Sequence, residues 1–318
     1  VKEDQMFDRG DRLLVAVSGG KDSLALWDVL LNLGHRATGL HVDLGIGGYS
    51  SASREKTERF ASARGAKLIV HSLRDSLGIG VPEIAEKNSR SPCSACGTIK
   101  RYSFNQIAQQ YGFSVLATGH NLDDEAARLL GNVLHWQEEY LDKQSPVLQA
   151  ARDPNDGKGS LVKKVKPLYR LAEREMAAYA VMKRIDYVVE ECPNAKGAKL
   201  LVYKEVLNRL EEEAPGTKQN FYLSFLKRWV PRSIPASRVE VNWQRCRLCG
   251  QPTSSNPGDA YRVPGVGKDQ VAGIGKGMES VVGDIESVED FDPTPGTRHP
   301  VPELPLCSFC RLMERVIS

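Results

Sequence analysis

Six consecutive residues, Ser18-Gly19-Gly20-Lys21-Asp22-Ser23, bring together what a protein needs to hold a chain of phosphates. Two glycines let the backbone turn tightly and come close to a charged ligand. A helix predicted to follow would offer free amides and the positive end of its dipole to an anion. Ser18 and Ser23 add hydroxyls and Lys21 adds charge. The run is not a Walker A loop, because Asp22 follows the lysine and Val15 stands where the earlier glycine would be.

A second polar run, Gly119-His120-Asn121-Leu122-Asp123-Asp124-Glu125-Ala126, follows a predicted strand. Adjacent carboxylates at a helix start can hold Mg2+ against phosphate oxygens. Alone, Asp123 and Asp124 would read as acids complementing a helix dipole. With a phosphate loop at a neighbouring strand end, the catalytic reading is stronger.

Six of the seven cysteines fall into Cys-x-x-Cys pairs, Cys93/Cys96, Cys246/Cys249 and Cys307/Cys310, and Cys192 stands alone. Such pairs point to metal before they point to cross-links. Cys93, Cys96 and Cys192 all lie near glycine and proline, which predicts exposed loops. Three thiolates converging at one sheet edge would suit a [4Fe–4S] cluster with one iron left open for hydrosulfide. A persulfide-carrying redox pair and a three-cysteine zinc site are the competing chemistries. The other four, Cys246, Cys249, Cys307 and Cys310, have the pairwise spacing of a four-cysteine Zn2+ site.

These residues need a frame. Strands are predicted over residues 13–17, 37–42, 67–73, 114–118, 162–165 and 186–189. Helices are predicted over 24–33, 53–64, 100–110, 123–135, 172–184, 200–213 and 220–229. Residues 144–160 read as a polar loop. The alternation predicts an α/β fold, a parallel sheet with helices on both faces, with ligands beyond the carboxyl ends of the strands. Residues 1–240 are expected to form the catalytic domain and 241–318 a small zinc knuckle. A long Gly/Pro/Val/Asp-rich flexible insertion is expected at about 251–305.

The bulk composition is that of an ordinary globular protein: 318 residues, 41% hydrophobic, 26% charged, net charge +3. No apolar run approaches the length of a bilayer span, so no membrane is expected and the chain reads as cytoplasmic. Two basic clusters could meet RNA phosphates: Lys163, Lys164 and Lys166, and Lys227, Arg228, Arg232 and Arg238 with Trp229 and Tyr222 nearby. Either alone reads more readily as a solvated surface.

Taken with Pro92-Cys93-Ser94-Ala95-Cys96-Gly97 and Glu191-Cys192-Pro193-Asn194-Ala195-Lys196-Gly197, the two loop motifs resemble those of the TtuA-like tRNA 2-thiouridine synthetases, a group of N-type (PP-loop) ATP pyrophosphatases. The resemblance runs from about residue 11 to 249 and resumes at Cys307. It implies an adenine nucleotide alpha hydrolase-like fold and ATP bound at Ala16, Ser18, Gly19, Gly20, Lys21, Asp22, Ser23, Val42, Lys100 and Gly119. It implies the cluster on Cys93, Cys96 and Cys192, and Asp22, Lys100, Asp124, Cys93 and Cys192 in catalysis. The implied reaction is 2-thiolation of uridine or 5-methyluridine in tRNA, at position 54 of the T-loop. The sulfur donor would be a ubiquitin-like carrier protein or free sulfide, and the chain could act as a homodimer. Wobble-uridine or anticodon-loop cytidine thiolation, amide or amine ligation on the same loop, and a zinc-dependent RNA-binding module are the alternatives. Relatives of this kind begin with a zinc finger, whereas this sequence opens at Val1 close to the first strand, so residues preceding Val1 are expected. Lys163, Lys164, Lys196, Lys199, Lys227 and Arg228 are the candidates for gripping tRNA.

Overall fold

The computed structural model describes residues 1–89, 91–141, 143–150, 161–229, 243–254 and 306–317. Strand β1 (Leu13–Ala16) is almost wholly inaccessible to solvent. A short apolar strand buried on both faces must lie inside a sheet covered by helices. It pairs in parallel with β2 (Ala37–Asp43) on one side and β4 (Val115–Thr118) on the other. Outside these lie β3 (Leu68–Ser72) and β6 (Lys163–Val165), also parallel, and a short antiparallel strand β5 (Val147–Leu148) closes the edge. The order is β3-β2-β1-β4-β6-β5.

Successive residues of a strand point to opposite faces, and the two cores follow that alternation. Leu13 and Val15 enter one core with Leu24, Trp27 and Leu30 of α1 (Lys21–Asn32). Helices α6 (Leu122–Leu134), α8 (Glu173–Met182), α9 (Lys199–Glu213) and α10 (Thr217–Arg228) contribute to the same core. Leu14 enters the other with Leu40, Val42 and Leu116. That second core is completed by α4 (Val81–Lys87), α5 (Pro92–Gln110) and α11 (Ser308–Ile317). Each fully buried Leu contributes roughly 1.5–3 kcal/mol. Trp27 lies across Gly39, where a Cβ would come within 2.5 Å of its ring, and its indole donates to Ala37 O at 3.1 Å.

From β1 the chain steps to β2 and β3 on one side, then places β4 on the other. The resulting crevice beyond the strand ends, between β1 and β4, is where such sheets bind ligands. Ser18–Ser23 and Gly119–Asp124 are the segments that leave those two strands.

Several elements differ from the sequence expectations. Helix α5 starts at Pro92 rather than at residue 100, so Cys93 and Cys96 sit in its first turns and not in a loop. Proline suits the first helical position, where its missing N–H costs nothing. Helix α2 (Gly47–Arg64) starts earlier than expected. Helices α3 (Leu73–Leu77), α4 and α7 (Glu138–Leu141) were not expected, and β5 falls within the segment read as a polar loop. Residues 186–189 are not a strand: they run over the phosphate loop, where Val188 N donates to Gly19 O at 2.9 Å, and among the described residues no strand pairs with them.

In the tail, β7 (Trp243–Arg245) and β8 (Pro252–Ser254) pair antiparallel. Helix α11 buries Leu312 and Met313 in the second core, so the tail is fastened to the sheet domain. Most of the insertion expected at about 251–305 lies outside the described residues.

Candidate active site and metal centre

The phosphate loop is braced from within. Ser18 N donates to Ser23 Oγ at 3.1 Å, and Ser23 Oγ donates to Gly20 O at 2.9 Å. The Ser23 hydroxyl, expected to face an anion, is therefore committed to the loop itself. Gly19 has φ +78°, and a Cβ there would stand 2.6 Å from Ser53 O of α2. The loop is thereby wedged between α2 and the segment carrying Val188.

Across the crevice, α6 opens with a reciprocal cap. Asp124 N donates to Asn121 Oδ1 at 3.0 Å, and Asn121 N donates to Asp124 Oδ2 at 3.2 Å. The two aspartates expected to act as a pair separate here. Asp123 is buried, accepts Lys218 Nζ on one oxygen and the Glu173 amide at 2.7 Å on the other, and does not line the cleft. Asp124 keeps Oδ1 toward the site, 2.6 Å from Lys204 Nζ.

A cleft of about 310 Å3 joins these parts. Its lining includes Ala16, Ser18, Gly20, Asp22, Val42, Lys100, Gly119 and Asp124, all expected, together with His41, Tyr49 and His120, which were not. Burial raises the Asp22 carboxyl above its ordinary value, although Lys21 opposes the shift. Asp22 Oδ1 is buried without a hydrogen-bond partner. An orphaned carboxylate oxygen beside Asp124 fits a divalent cation arriving with a triphosphate. His120 accepts from or donates to Thr118 Oγ1 at 2.9 Å, and burial pushes its pKa down to about 4, so it is neutral at pH 7.

Sequence reading missed two further side chains. Glu173, the first residue of α8, receives Lys21 Nζ at 2.6 Å on one oxygen and Lys204 Nζ at 3.0 Å on the other. Burial would raise Glu173, but the two lysines hold it down to about 2. Lys204 stays above the ordinary lysine value despite burial, because Asp124 and Glu173 flank it. The only sequence signal was an acid in the first turn of a predicted helix.

The three cysteines of the sheet domain are neighbours: Cys96 interacts with Cys93 and Cys192, and with Lys100, which lines the cleft. Cys93 is exposed, and Cys96 and Cys192 are half-buried against the second core. Cys93 Sγ donates to Asn194 O at 3.2 Å, which ties the start of α5 to the 3-10 turn Pro193–Ala195. Burial raises the Cys96 thiol, and Lys100, one helical turn on, opposes that shift. Tyr49, which lines the cleft, is raised by burial and by the neighbouring Cys192 and Cys96. Three neighbouring free thiols of graded exposure suit a cluster with one open iron.

In the tail, the sulfurs of Cys246, Cys249, Cys307 and Cys310 lie within 4.8 Å of one another. Cys249 Sγ and Cys307 Sγ are 3.7 Å apart. A tetrahedral zinc with bonds of about 2.3 Å would separate its sulfurs by about 3.8 Å, so the four fit that ion.

The basic clusters are redistributed. Lys166 is paired with fully buried Glu125 at 2.6 Å, and Lys163 donates to Gln5 O at 2.6 Å. Burial pulls Lys164 down to about 8. Tyr222 is a core residue whose hydroxyl donates to Gln144 O at 3.0 Å. Lys196, Lys199, Lys227 and Arg228 are exposed, while Arg232 and Arg238 lie outside the described residues. Lys199 joins Arg128, His135 and Tyr203 around a second, shallower hollow of about 430 Å3. No helix among the described residues is long and apolar enough to cross a membrane.

Known proteins share this arrangement. The profile of the PP-loop domain matches residues 2–198. The tRNA-5-methyluridine(54) 2-sulfurtransferase of Thermus thermophilus is 52% identical over 254 residues, covering 80% of this chain and 76% of that protein. This chain belongs to the PP-loop family of tRNA 2-sulfurtransferases. Within that family, the tRNA-5-methyluridine(54) 2-sulfurtransferase of Pyrococcus horikoshii is 45% identical over 252 residues, 79% of this chain and 78% of the relative. Among solved structures, the U34-tRNA thiolase NcsA from Methanococcus maripaludis, determined with its [4Fe-4S] cluster, superposes with a TM-score of 0.64. It is 25% identical and covers 78% of each chain.

Proposed function

We propose that this PP-loop sulfurtransferase adenylates the C2 carbonyl oxygen of uridine or 5-methyluridine at position 54 of tRNA and replaces that oxygen with sulfur. The observation that carries the reading is the cleft lined together by the phosphate loop, Asp124 and Lys100, whose lining residue Tyr49 neighbours Cys96 and Cys192. The position rests on the two relatives named for nucleotide 54, which are 52% and 45% identical, against 25% for the thiolase named for U34.

ATP would lie with its adenine against Ala16 and Val42 and its phosphates over the loop amides before α1. Asp22 and Asp124 would hold Mg2+ on the phosphates, and Lys100 of α5 lines the same cleft. The C2 oxygen attacks the α-phosphorus, the bond to the β-phosphate oxygen breaks, and pyrophosphate leaves. A carbonyl that was a poor electrophile now carries AMP as its leaving group. A sulfur nucleophile adds at C2, and the original oxygen departs within AMP. Cys93, Cys96 and Cys192 would hold a [4Fe–4S] cluster, which when bound supplies an iron free of protein thiolate for hydrosulfide. The sulfur source is a ubiquitin-like carrier protein or free sulfide. Cys246, Cys249, Cys307 and Cys310 would hold structural Zn2+. The target base must leave its stack to reach the cleft, so the enzyme grips the tRNA by shape and phosphate through Lys196, Lys199, Lys227 and Arg228 in the cytoplasm.

The test is product analysis with ATP, tRNA and sulfide under anaerobic conditions. AMP and pyrophosphate should appear in proportion to thionucleoside. ADP and phosphate instead would refute the reading.

A further inference from the structure

Between the phosphate loop and α6 the charged side chains form one continuous row: Asp22, Lys21, Glu173, Lys204, Asp124. The separations along it are 3.2, 2.6, 3.0 and 2.6 Å. Its members come from α1, α8, α9 and α6, so tertiary packing alone assembles it. None of the side chains is more than 37% exposed. Lys204 has a singular place in the row. Its ammonium bridges Glu173 and the one oxygen of Asp124 that the helix cap leaves free for the site. It also stands on the helix that begins just after the Cys192 turn.

The charges of the row sum to a single negative unit with Lys204 present and to two without it. An opposite charge within about 4–6 Å changes the proton affinity of a carboxylate by roughly 1–3 pK units, and its attraction for any other cation weakens in the same sense. The geometry points to Lys204 as a positioning residue of the adenylation site. We propose that it holds Asp124 oriented while no nucleotide is bound, keeps the carboxylates from collecting a cation on their own, and yields Asp124 to the cation that arrives on the triphosphate. This rests on the reading of Asp22 and Asp124 as the residues that meet metal-bound ATP. Neither the PP-loop motif nor the acidic motif contains Lys204, and its test need not pass through turnover alone.

The experiment uses the full chain, its Lys204→Met, Lys204→Gln and Lys204→Arg variants, and the double variant Lys204→Met/Asp124→Asn. Mn2+ is the probe, read by electron paramagnetic resonance with and without ATP; it prefers oxygen ligands, so the cysteine sites do not compete for it. Wild type should bind Mn2+ tightly only when ATP is present. Lys204→Met and Lys204→Gln should bind it about tenfold more tightly than wild type without ATP, and the double variant should lose that gain. In tRNA-dependent pyrophosphate release, kcat of Lys204→Met and Lys204→Gln should fall about tenfold while KM for ATP stays within about twofold. Lys204→Arg should restore both readouts. Mn2+ binding by Lys204→Met equal to that of wild type, or equal to that of the double variant, would overturn the proposal. If wild type releases no pyrophosphate, the functional reading fails instead, and the ATP-free Mn2+ comparison still decides the role of Lys204.

Discussion

Gly119 lies flat against the start of α1: a Cβ added to it would stand 2.9 Å from both the Cα and the amide nitrogen of Ser23. The two motif loops therefore touch backbone to backbone, and their spacing is set by the absence of one carbon. Gly119→Ala should push β4's loop off the phosphate loop at a cost of roughly 1–3 kcal/mol. The dissociation constant for ATP, measured by calorimetry, should rise about tenfold, with a lower Tm. Unchanged ATP affinity would mean that the loops are not held in register by this contact.

Asp123 and Asp124 are neighbours with different work, and substitution should separate them. Asp124→Asn keeps the cap acceptor but removes the charge facing the cleft, so pyrophosphate release should fall by about 100-fold or more with little change in Tm. Asp123→Asn leaves buried Lys218 without its carboxylate, and stability should drop by about 3–5 kcal/mol, read by chemical denaturation. Equal losses of activity and stability in both variants would contradict this division.

Lys166 belongs to the core and not to an RNA surface. Glu125 is fully buried, and although burial alone would raise its carboxyl, Lys166 holds it below the ordinary value. A depressed folded pKa contributes stability that is present above the unfolded value of 4.5 and lost as the pH falls below it. In Lys166→Met that pull disappears, burial raises the Glu125 pKa, and the sign reverses. The variant should lose about 3–5 kcal/mol at pH 7 and regain part of it on acidification. Denaturation curves from pH 4 to 8 would show it, and parallel curves for wild type and variant would argue against it.

Metal analysis should separate the two sets of cysteines. Cys192→Ala should lose iron and thiolation while retaining zinc. Cys307→Ser should lose zinc and stability, because α11, which follows it directly, carries Leu312 and Met313 into the second core. Protein stripped of iron that also lacks zinc would refute the four-cysteine assignment.

What could be read from the sequence was what is local. The phosphate loop, the Gly119–Asp124 run and the cysteine pairs are contiguous, and each carries its chemistry in its own spacing. The parallel sheet followed from apolar strands alternating with helices. Glu173 and Lys204 were invisible because they reach Lys21 and Asp124 only through the packing of α8 and α9. On a charged helix such as α9, a lysine reads as solvated. The start of α5 was misjudged for a different reason: Gly97 suggested a loop, while Pro92 at the first helical position was the stronger signal. The Lys163–Lys166 run looked like a surface because its lysines are contiguous, whereas Lys166, just past β6, pairs with buried Glu125.

The central claim is thiolation of tRNA at position 54, and nucleoside mass spectrometry mapped by position tests it most directly. Unmodified tRNA transcript and its 5-methyluridine form would be incubated anaerobically with the cluster-loaded enzyme, ATP and sulfide, then cut into defined fragments. A 2-thiouridine or 2-thio-5-methyluridine should appear in the T-loop fragment, and be absent when Asp22→Ala or Cys96→Ala replaces wild type. Thiolation in the anticodon-loop fragment, or none in any fragment while ATP is still cleaved, would contradict the claim.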